Sequence, residues 1–369
     1  MPGPPRADGL AMTEPKPPRR VRYSGKNPRT FHEKYKELNP ARYEADVRKV
    51  LESGKTPAGM HRAIMVPEVL QALAPKPGEV AVDCTLGFGG HARAILERIQ
   101  PGGRLIGLDV DPIELPRTEA RLRAAGFGAD SFVAYQSNFA GLSQLLAKDG
   151  LPGADIILAD LGVSSMQLDN PDRGFTYKAS GPLDMRMNPR RGAPASQMLT
   201  HLSEDKLARL LEENADEPDA RLIARALKAH VITTTGDLGR IVKAGIVAER
   251  PTASDGEVEK AIRRTCQALR IAVNDEFSAL DTFLRNLPLC LAPGGRVAVL
   301  TFHSGEDRRV KKAFQSGHLE GVYAATADEV MRPSAEETRA NPRAGAAKLR
   351  WAIKTENSKL KTENLRLRT

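Results

Sequence analysis

Val80-Ala-Val-Asp83-Cys-Thr-Leu-Gly87-Phe-Gly89-Gly90-His91 decides how this chain folds. A short apolar run ends on an acid, and three glycines follow at Gly87, Gly89 and Gly90. Helical spacing then begins at Ala92 and continues through Ile95, Leu96 and Ile99. The pattern predicts a buried strand, a tight turn and a helix start. Glycine lets a ligand approach the backbone, because it has no Cβ and tolerates positive φ. The helix start offers free N–H groups to an anionic or carboxylate-bearing ligand.

Further apolar runs follow at a regular beat: Leu105–Asp109, Phe132–Tyr135, Ile156–Asp160 and Val297–Phe302. Helical patterns separate the first four runs, which predicts an α/β fold with a parallel sheet covered on both faces. Asp83, Asp109 and Asp160 each end a strand. One such acid is an ordinary cap or turn residue. Three would line the carboxyl edge of one sheet, where ligands of such folds bind. Between Gln167 and Gln267 the beat turns helical, at Leu207–Leu211, Leu222–Leu227 and Leu238–Val242. This predicts a mainly helical insert after the fourth strand. The sheet resumes with a helix from Ala268 to Leu287, a turn at Pro293-Gly294-Gly295 and a final edge strand near Ala347–Ile353.

The 369 residues suffice for one large or two modest domains, and the net charge of +9 suits a polyanionic partner as well as plain solubility. No apolar run approaches the roughly 18–20 residues of a membrane span. Cys84, Cys266 and Cys290 lack metal-ligand spacing and fit a reducing, cytoplasmic compartment. Residues 1–30 read as a disordered basic arm carrying Arg19, Arg20 and Arg22, able to touch phosphates, and residues 31–60 as partly helical.

Gly87-Phe-Gly89-Gly90-His91-Ala92 fits G-x-G-x-x-[G/A], a pattern shared by nicotinamide enzymes and methyltransferases. Asp109, about 20 residues on, suits ribose hydroxyls in either class. Asp83 favours the methyl donor, because methyltransferases of this fold commonly carry an acid there, near the methionine amino group. A nicotinamide oxidoreductase and a non-catalytic ribosome-assembly factor stand as alternatives. Binding of adenosylmethionine against NAD separates the first.

Longer blocks are more specific. Asp160-Leu-Gly-Val-Ser-Ser165-Met-Gln167-Leu-Asp169 follows the fourth strand. Then come Arg173-Gly-Phe175, Gly181-Pro-Leu-Asp184-Met-Arg186-Met and Cys266-Gln-Ala-Leu-Arg270-Ile-Ala-Val-Asn274. Phe302-His303-Ser304-Gly-Glu306-Asp307-Arg308 and Asn341-Pro-Arg343 close the series. In this order they resemble the RsmH (MraW) family, the small-subunit ribosomal RNA cytosine-N4 methyltransferases, over about residues 61–353.

The resemblance implies a class I (Rossmann-like) methyltransferase domain over 61–170 and 268–354, interrupted by a helical substrate-recognition insert over 171–267. A basic extension (1–60) and a charged tail (355–369) flank it. It implies S-adenosyl-L-methionine as cofactor, 16S rRNA within the small ribosomal subunit as partner, and no membrane. Carried over residue by residue, cofactor contacts fall on Gly89, Gly90, His91, Asp109, Phe139, Asp160 and Gln167. Substrate contacts are expected at Asp184, Arg186, Asn274, His303 and Ser304. By analogy with polar residues after strand four in other amino-methyltransferases, Asp160 is the expected proton acceptor, although Leu161-Gly162-Val163 stands in place of their Pro-Pro-aromatic sequence. Three places depart from the family pattern. Cys266 stands where Phe is common, Arg250-Pro-Thr-Ala replaces His-Pro-Ala-Thr, and Gly305 replaces Leu.

Overall fold

The computed structural model describes residues 63–356. The basic arm, the expected helices of residues 31–60 and the tail beyond 356 lie outside the described residues. The chain enters through α1 (Val66–Leu73) and then alternates: β1 (Val80–Asp83), α2 (Gly90–Ile99), β2 (Arg104–Asp109), α3 (Glu114–Ala124), β3 (Phe132–Gln136), α4 (Leu142–Lys148) and β4 (Ala154–Asp160). These four strands are parallel and lie in the order β3-β2-β1-β4. Reversal of strand order between β1 and β4 opens a crevice at their carboxyl ends.

The central strands are apolar throughout because both faces are covered. Alternate residues feed opposite cores: Ile156 and Leu158 point to one, Ile157 and Ala159 to the other. Ala298 and Leu300 join the first, Val297 and Val299 the second. On one face lie α1, α2 and α3, through Leu73, Ile95 and Leu122. On the other lie α4 and, from the second half of the chain, α11 (Glu276–Cys290) and α12 (Ser304–Leu319). Each fully buried Leu or Ile contributes about 1.5–3 kcal/mol relative to exposure.

After β4 come a short helix α5 (Ser165–Asp169) and a long loop. Five helices follow: α6 (Ala195–His201), α7 (Glu204–Ala215), α8 (Ala220–Lys228), α9 (Thr235–Glu249) and α10 (Asp255–Asn274). They enclose a separate apolar core that includes Leu207, Ile223, Leu238, Val258 and Leu269. Cys266 is buried in this core, so the departure from Phe falls on a packing position. α10 begins at a capping box, with Ser254 and Glu257 exchanging side-chain and backbone hydrogen bonds.

Three sequence expectations are corrected. The single helix expected over Ala268 to Leu287 is two, because α10 ends at Asn274 and Asp275 turns left-handed at φ 50° before α11. The turn expected at Pro293-Gly294-Gly295 lies inside β5 (Leu291–Thr301), as an irregularity where the register with β4 shifts. The late strand, β7 (Lys348–Lys354), is not an edge: it runs antiparallel between β5 and the short β6 (Tyr323–Thr326). Tyr323-Ala-Ala-Thr326 is too short to announce a strand, with only Tyr323 buried.

Candidate active site

The glycine turn forms at the carboxyl end of β1 for steric reasons. Gly89 has φ 81°, and a Cβ on it would lie 2.8 Å from the Thr118 side chain. A Cβ on Gly90 would lie 2.9 Å from that of Ala63, so the segment before α1 closes directly over the turn. Thr118 donates to the Gly87 carbonyl and holds the turn against α3.

Asp83, Asp109 and Asp160 stand at the carboxyl ends of the adjacent strands β1, β2 and β4. Asp83 is buried and accepts from the Thr85 N–H at 3.1 Å. Burial pushes its carboxyl up to about 6, against the opposing influence of His91. Asp109 accepts from the Gly87 N–H and the Asp111 N–H, both at 2.8 Å. It thereby ties the glycine turn to β2, and burial pushes it up to about 6 as well. Each of its oxygens keeps a second lone pair for a hydroxyl donor.

Asp160 donates its own N–H to Thr85 Oγ1 at 2.6 Å. Its Oδ1 is buried and makes no hydrogen bond among the described residues. Its Oδ2 lies 3.6 Å from His91 Nδ1. Burial, and after it the Glu306 carboxylate, pushes Asp160 up to about 7. The His91 Nε2 lies 2.9 Å from the Ile64 carbonyl, which can only accept, so Nε2 carries the hydrogen. In the neutral ring Nδ1 then turns its lone pair toward Asp160. Burial holds the His91 ring below its usual range, so the neutral form is favoured.

Several predicted contacts are committed to the protein itself. Gln167 closes a capping box with Ser164 and donates to Asp111 Oδ2 at 2.7 Å. Phe139 is half-buried on a short 3-10 turn and packs edge-to-face on Phe283, ring centres 5.4 Å apart. Arg186 forks onto both oxygens of Asp184. Asn274 Oδ1 accepts from the Met187 N–H at 2.7 Å, and its amide donates to the Met185 carbonyl at 2.8 Å. His303 caps α12, accepting from the Glu306 N–H. Ser304 and Arg308 both bind Asp216 at the end of α7, joining the insert to the sheet domain.

Four residues outside the predicted set complete the site. Asp111, buried, receives both Gln167 and Arg173, the latter at 2.8 Å. Arg173 also donates to the carbonyls of Arg186 and Met187. Arg270 forks onto Glu276 at 2.9 Å to each oxygen, and Glu306 accepts from the Phe302 N–H beside it. Arg173, Arg270 and Glu306 stand inside the quoted blocks; Asp111 was signalled only as a second acid two residues after Asp109.

The Gly305 departure has a steric reason. A Cβ there would lie 2.6 Å from Phe277 Cζ, and the Arg309 guanidinium covers that ring at 3.6 Å. Gly305→Ala is therefore expected to destabilise the fold by about 1–3 kcal/mol. Trimming the ring in the double variant Gly305→Ala/Phe277→Ala should relieve the clash. Denaturant melts read both; an unchanged midpoint for the single variant would refute the clash.

The model of the MraW methylase family matches residues 58–355. The chain belongs to the MraW methylase family. It is 49% identical over 346 residues to the ribosomal RNA small subunit methyltransferase H 2 of Alkaliphilus metalliredigens, covering 92% of this chain and 99% of that protein. It is 47% identical over 350 residues to a methyltransferase H 1 of Lachnoclostridium phytofermentans, covering 92% and 94%. The Heliobacterium modesticaldum methyltransferase H is 42% identical over 317 residues, covering 80% and 98%. Membership in a methylase family makes the chain a methyltransferase, and the resemblance read from its blocks is borne out. Among the described residues no helix is long and apolar enough to cross a membrane, and no cluster is able to hold a metal.

Proposed function

We propose that this protein methylates the exocyclic N4 amine of a cytosine in the decoding region of 16S rRNA, within the small ribosomal subunit and in the cytoplasm, using S-adenosylmethionine. The observation that carries the reading is Asp160: a carboxyl at the sheet's switch point, raised to about 7, with one buried oxygen unpartnered among the described residues. The glycine turn, packed so tightly on Thr118 and Ala63 that no side chain fits at Gly89 or Gly90, and the carboxylate of Asp109 beside it fit the cofactor. Gly89, Gly90 and His91 would hold it at the turn, Asp109 at the ribose, and Phe139 beside the base.

When bound, adenosylmethionine supplies an electrophilic sulfonium methyl. Cytosine N4 is a weak nucleophile, because its lone pair is delocalised into the ring. It must be aligned and must lose a proton as the N–C bond forms. Asp160 accepts that proton. His91 stands behind it, with Nδ1 able to share the proton once Asp160 has taken it. The base leaves its stack to reach this crevice.

Carbon-5 methylation would need a cysteine nucleophile, and none suits. Cys84, Cys266 and Cys290 are all buried. Burial raises Cys84 well above its ordinary value, and pushes Cys266 and Cys290 up to about 12. Nucleoside mass mapping of rRNA from cells lacking the gene tests the assignment. Loss of an N4-methylcytidine, restored by adding the protein and adenosylmethionine to unmodified subunits, supports it. Loss of a carbon-5 mark, or of none, refutes it.

Asp109 gives a separate test of the cofactor site. Losing a charge-assisted hydrogen bond costs about 1.5–3 kcal/mol, so Asp109→Ala should weaken adenosylmethionine binding roughly 10–150-fold. The carboxylate is the better acceptor, so wild-type affinity should also fall as pH drops through about 6. Calorimetric titration reads both. Wild-type affinity in the variant would remove Asp109 from the site.

A further inference from the structure

Asn188-Pro-Arg190-Arg191-Gly192 forms the tip of the loop between α5 and α6. The predicted RNA contacts at Asp184 and Arg186 neutralise each other, and Arg186 also donates to the Gly192 carbonyl. Arg190 and Arg191 differ. Both are exposed, and among the described residues neither side chain has a hydrogen bond or ion pair. The nearest acid in sequence, Asp184, is already occupied.

The loop that carries them is held rigidly. Asn188 Oδ1 accepts from the Arg190 N–H at 3.0 Å, and the Asn188 carbonyl accepts from the Arg191 N–H at 3.1 Å. Asn274 grips Met185 and Met187, and Arg173 grips the carbonyls of Arg186 and Met187. Gly174 admits no side chain, because a Cβ would overlap the Pro182 carbonyl. These anchors also locate the loop. Arg173 binds Asp111, whose N–H is bound by Asp109 at the cofactor edge. Asn274 sits one helical turn from Arg270, whose guanidinium approaches Gly162, two residues past Asp160. The base of the loop is therefore anchored to residues that lead to Asp109 and Asp160, and the arginine turn follows within a few residues of it.

Two adjacent guanidinium groups without a counter-ion repel each other, a cost that an anionic partner relieves. Guanidinium matches phosphate with two parallel hydrogen bonds, and a braced loop loses little further freedom on binding. We propose that Arg190 and Arg191 form a clamp for rRNA backbone phosphates beside the target base. This rests on the rRNA methyltransferase reading above. Phosphate contacts place the strand without reading its sequence, which leaves base choice to the crevice.

The test uses the full chain with unmodified small subunits and with naked 16S rRNA, at several salt concentrations. Each lost phosphate contact flattens the log–log salt dependence by about 0.7–0.9. Arg190→Ala/Arg191→Ala should flatten it by about twice that and weaken binding roughly tenfold or more at low salt. Adenosylmethionine affinity should stay unchanged. Arg190→Lys/Arg191→Lys, which keeps charge and loses the fork, should restore most of the slope and part of the affinity. Superimposable slopes for wild type and the alanine variant, in a protein that methylates subunits, would overturn the clamp alone. A wild-type chain that binds adenosylmethionine but neither RNA nor subunits would overturn the rRNA reading and the clamp with it. An effect seen with subunits and absent on naked rRNA would assign the arginines to an acidic ribosomal protein and overturn the phosphate clamp.

Discussion

Replacing Asp160 by asparagine is expected to lower single-turnover methylation by about 10²–10⁴-fold, the usual contribution of a positioned general base. The change keeps shape and removes the negative charge and with it the capacity to take a proton. Cofactor affinity should fall much less, because the turn at Gly87–His91 and the Asp109 carboxylate stay in place. The pH dependence gives the sign. Burial, with Glu306 second, sets Asp160 at about 7, so the wild-type rate should rise with pH through that value as the carboxyl ionises. His91 adds no competing ionisation there, because burial lowers its proton affinity. The residual rate of the variant should show no such limb. Rapid-quench assays with saturating adenosylmethionine on small subunits read both quantities. A variant rate near wild type, or an unchanged pH limb, would take Asp160 out of the chemistry.

The strands at the centre of this molecule were legible because burial on both faces leaves one solution, an unbroken apolar run. Val80–Asp83 and Ile156–Asp160 announce themselves in that way, and the acids that end them fall at the carboxyl edge for the same reason. Tyr323–Thr326 could not be read, since an edge strand of four residues with one buried aromatic carries no periodicity. The break at Asp275 was equally silent. Apolar spacing continues across it, and only the left-handed backbone of one residue separates α10 from α11.

The motif blocks were legible as blocks, and their division of labour was not. Arg186 and Arg190 lie four residues apart in one basic loop. The family resemblance picked Arg186 for RNA, although residue type and spacing give no reason to prefer either. The structure pairs Arg186 with Asp184 and leaves Arg190 exposed. Gln167 shows the same limit. An amide near the crevice reads as a ligand contact, whereas here its oxygen caps α5 and its nitrogen holds Asp111. Hydrogen-bond partners distant in sequence decide such roles, and the residues around Gln167 do not carry them.

Arg270→Met should have the largest effect on stability. The guanidinium is mostly buried and is the cation for Glu276, to which it is bonded twice; it also favours the charged form of the neighbouring Glu306, after His303, which lies 3.1 Å from that carboxylate. Methionine keeps much of the volume and strands Glu276 away from water, while Glu306 keeps His303 and the Phe302 N–H but loses a nearby positive charge. Removing one partner of a buried ion pair costs about 3–5 kcal/mol, because the remaining charge is uncompensated. Replacing both partners, in Arg270→Met/Glu276→Leu, should recover much of that loss. In the single variant the two carboxyls gain proton affinity in the folded state relative to the unfolded chain. A group with its folded pKa raised stabilises the fold as pH falls through that value. The deficit against wild type should therefore be smaller in mild acid than in mild base. Asp160 should feel the change too. With Glu306 less well balanced, its carboxyl should hold its proton to higher pH, moving the rising limb of the rate profile upward. Urea melts at two pH values test the stability sign, and the rate profile tests the link to the crevice. A single variant with the wild-type midpoint at both pH values would show that Arg270 is not the counter-ion on which this buried cluster depends.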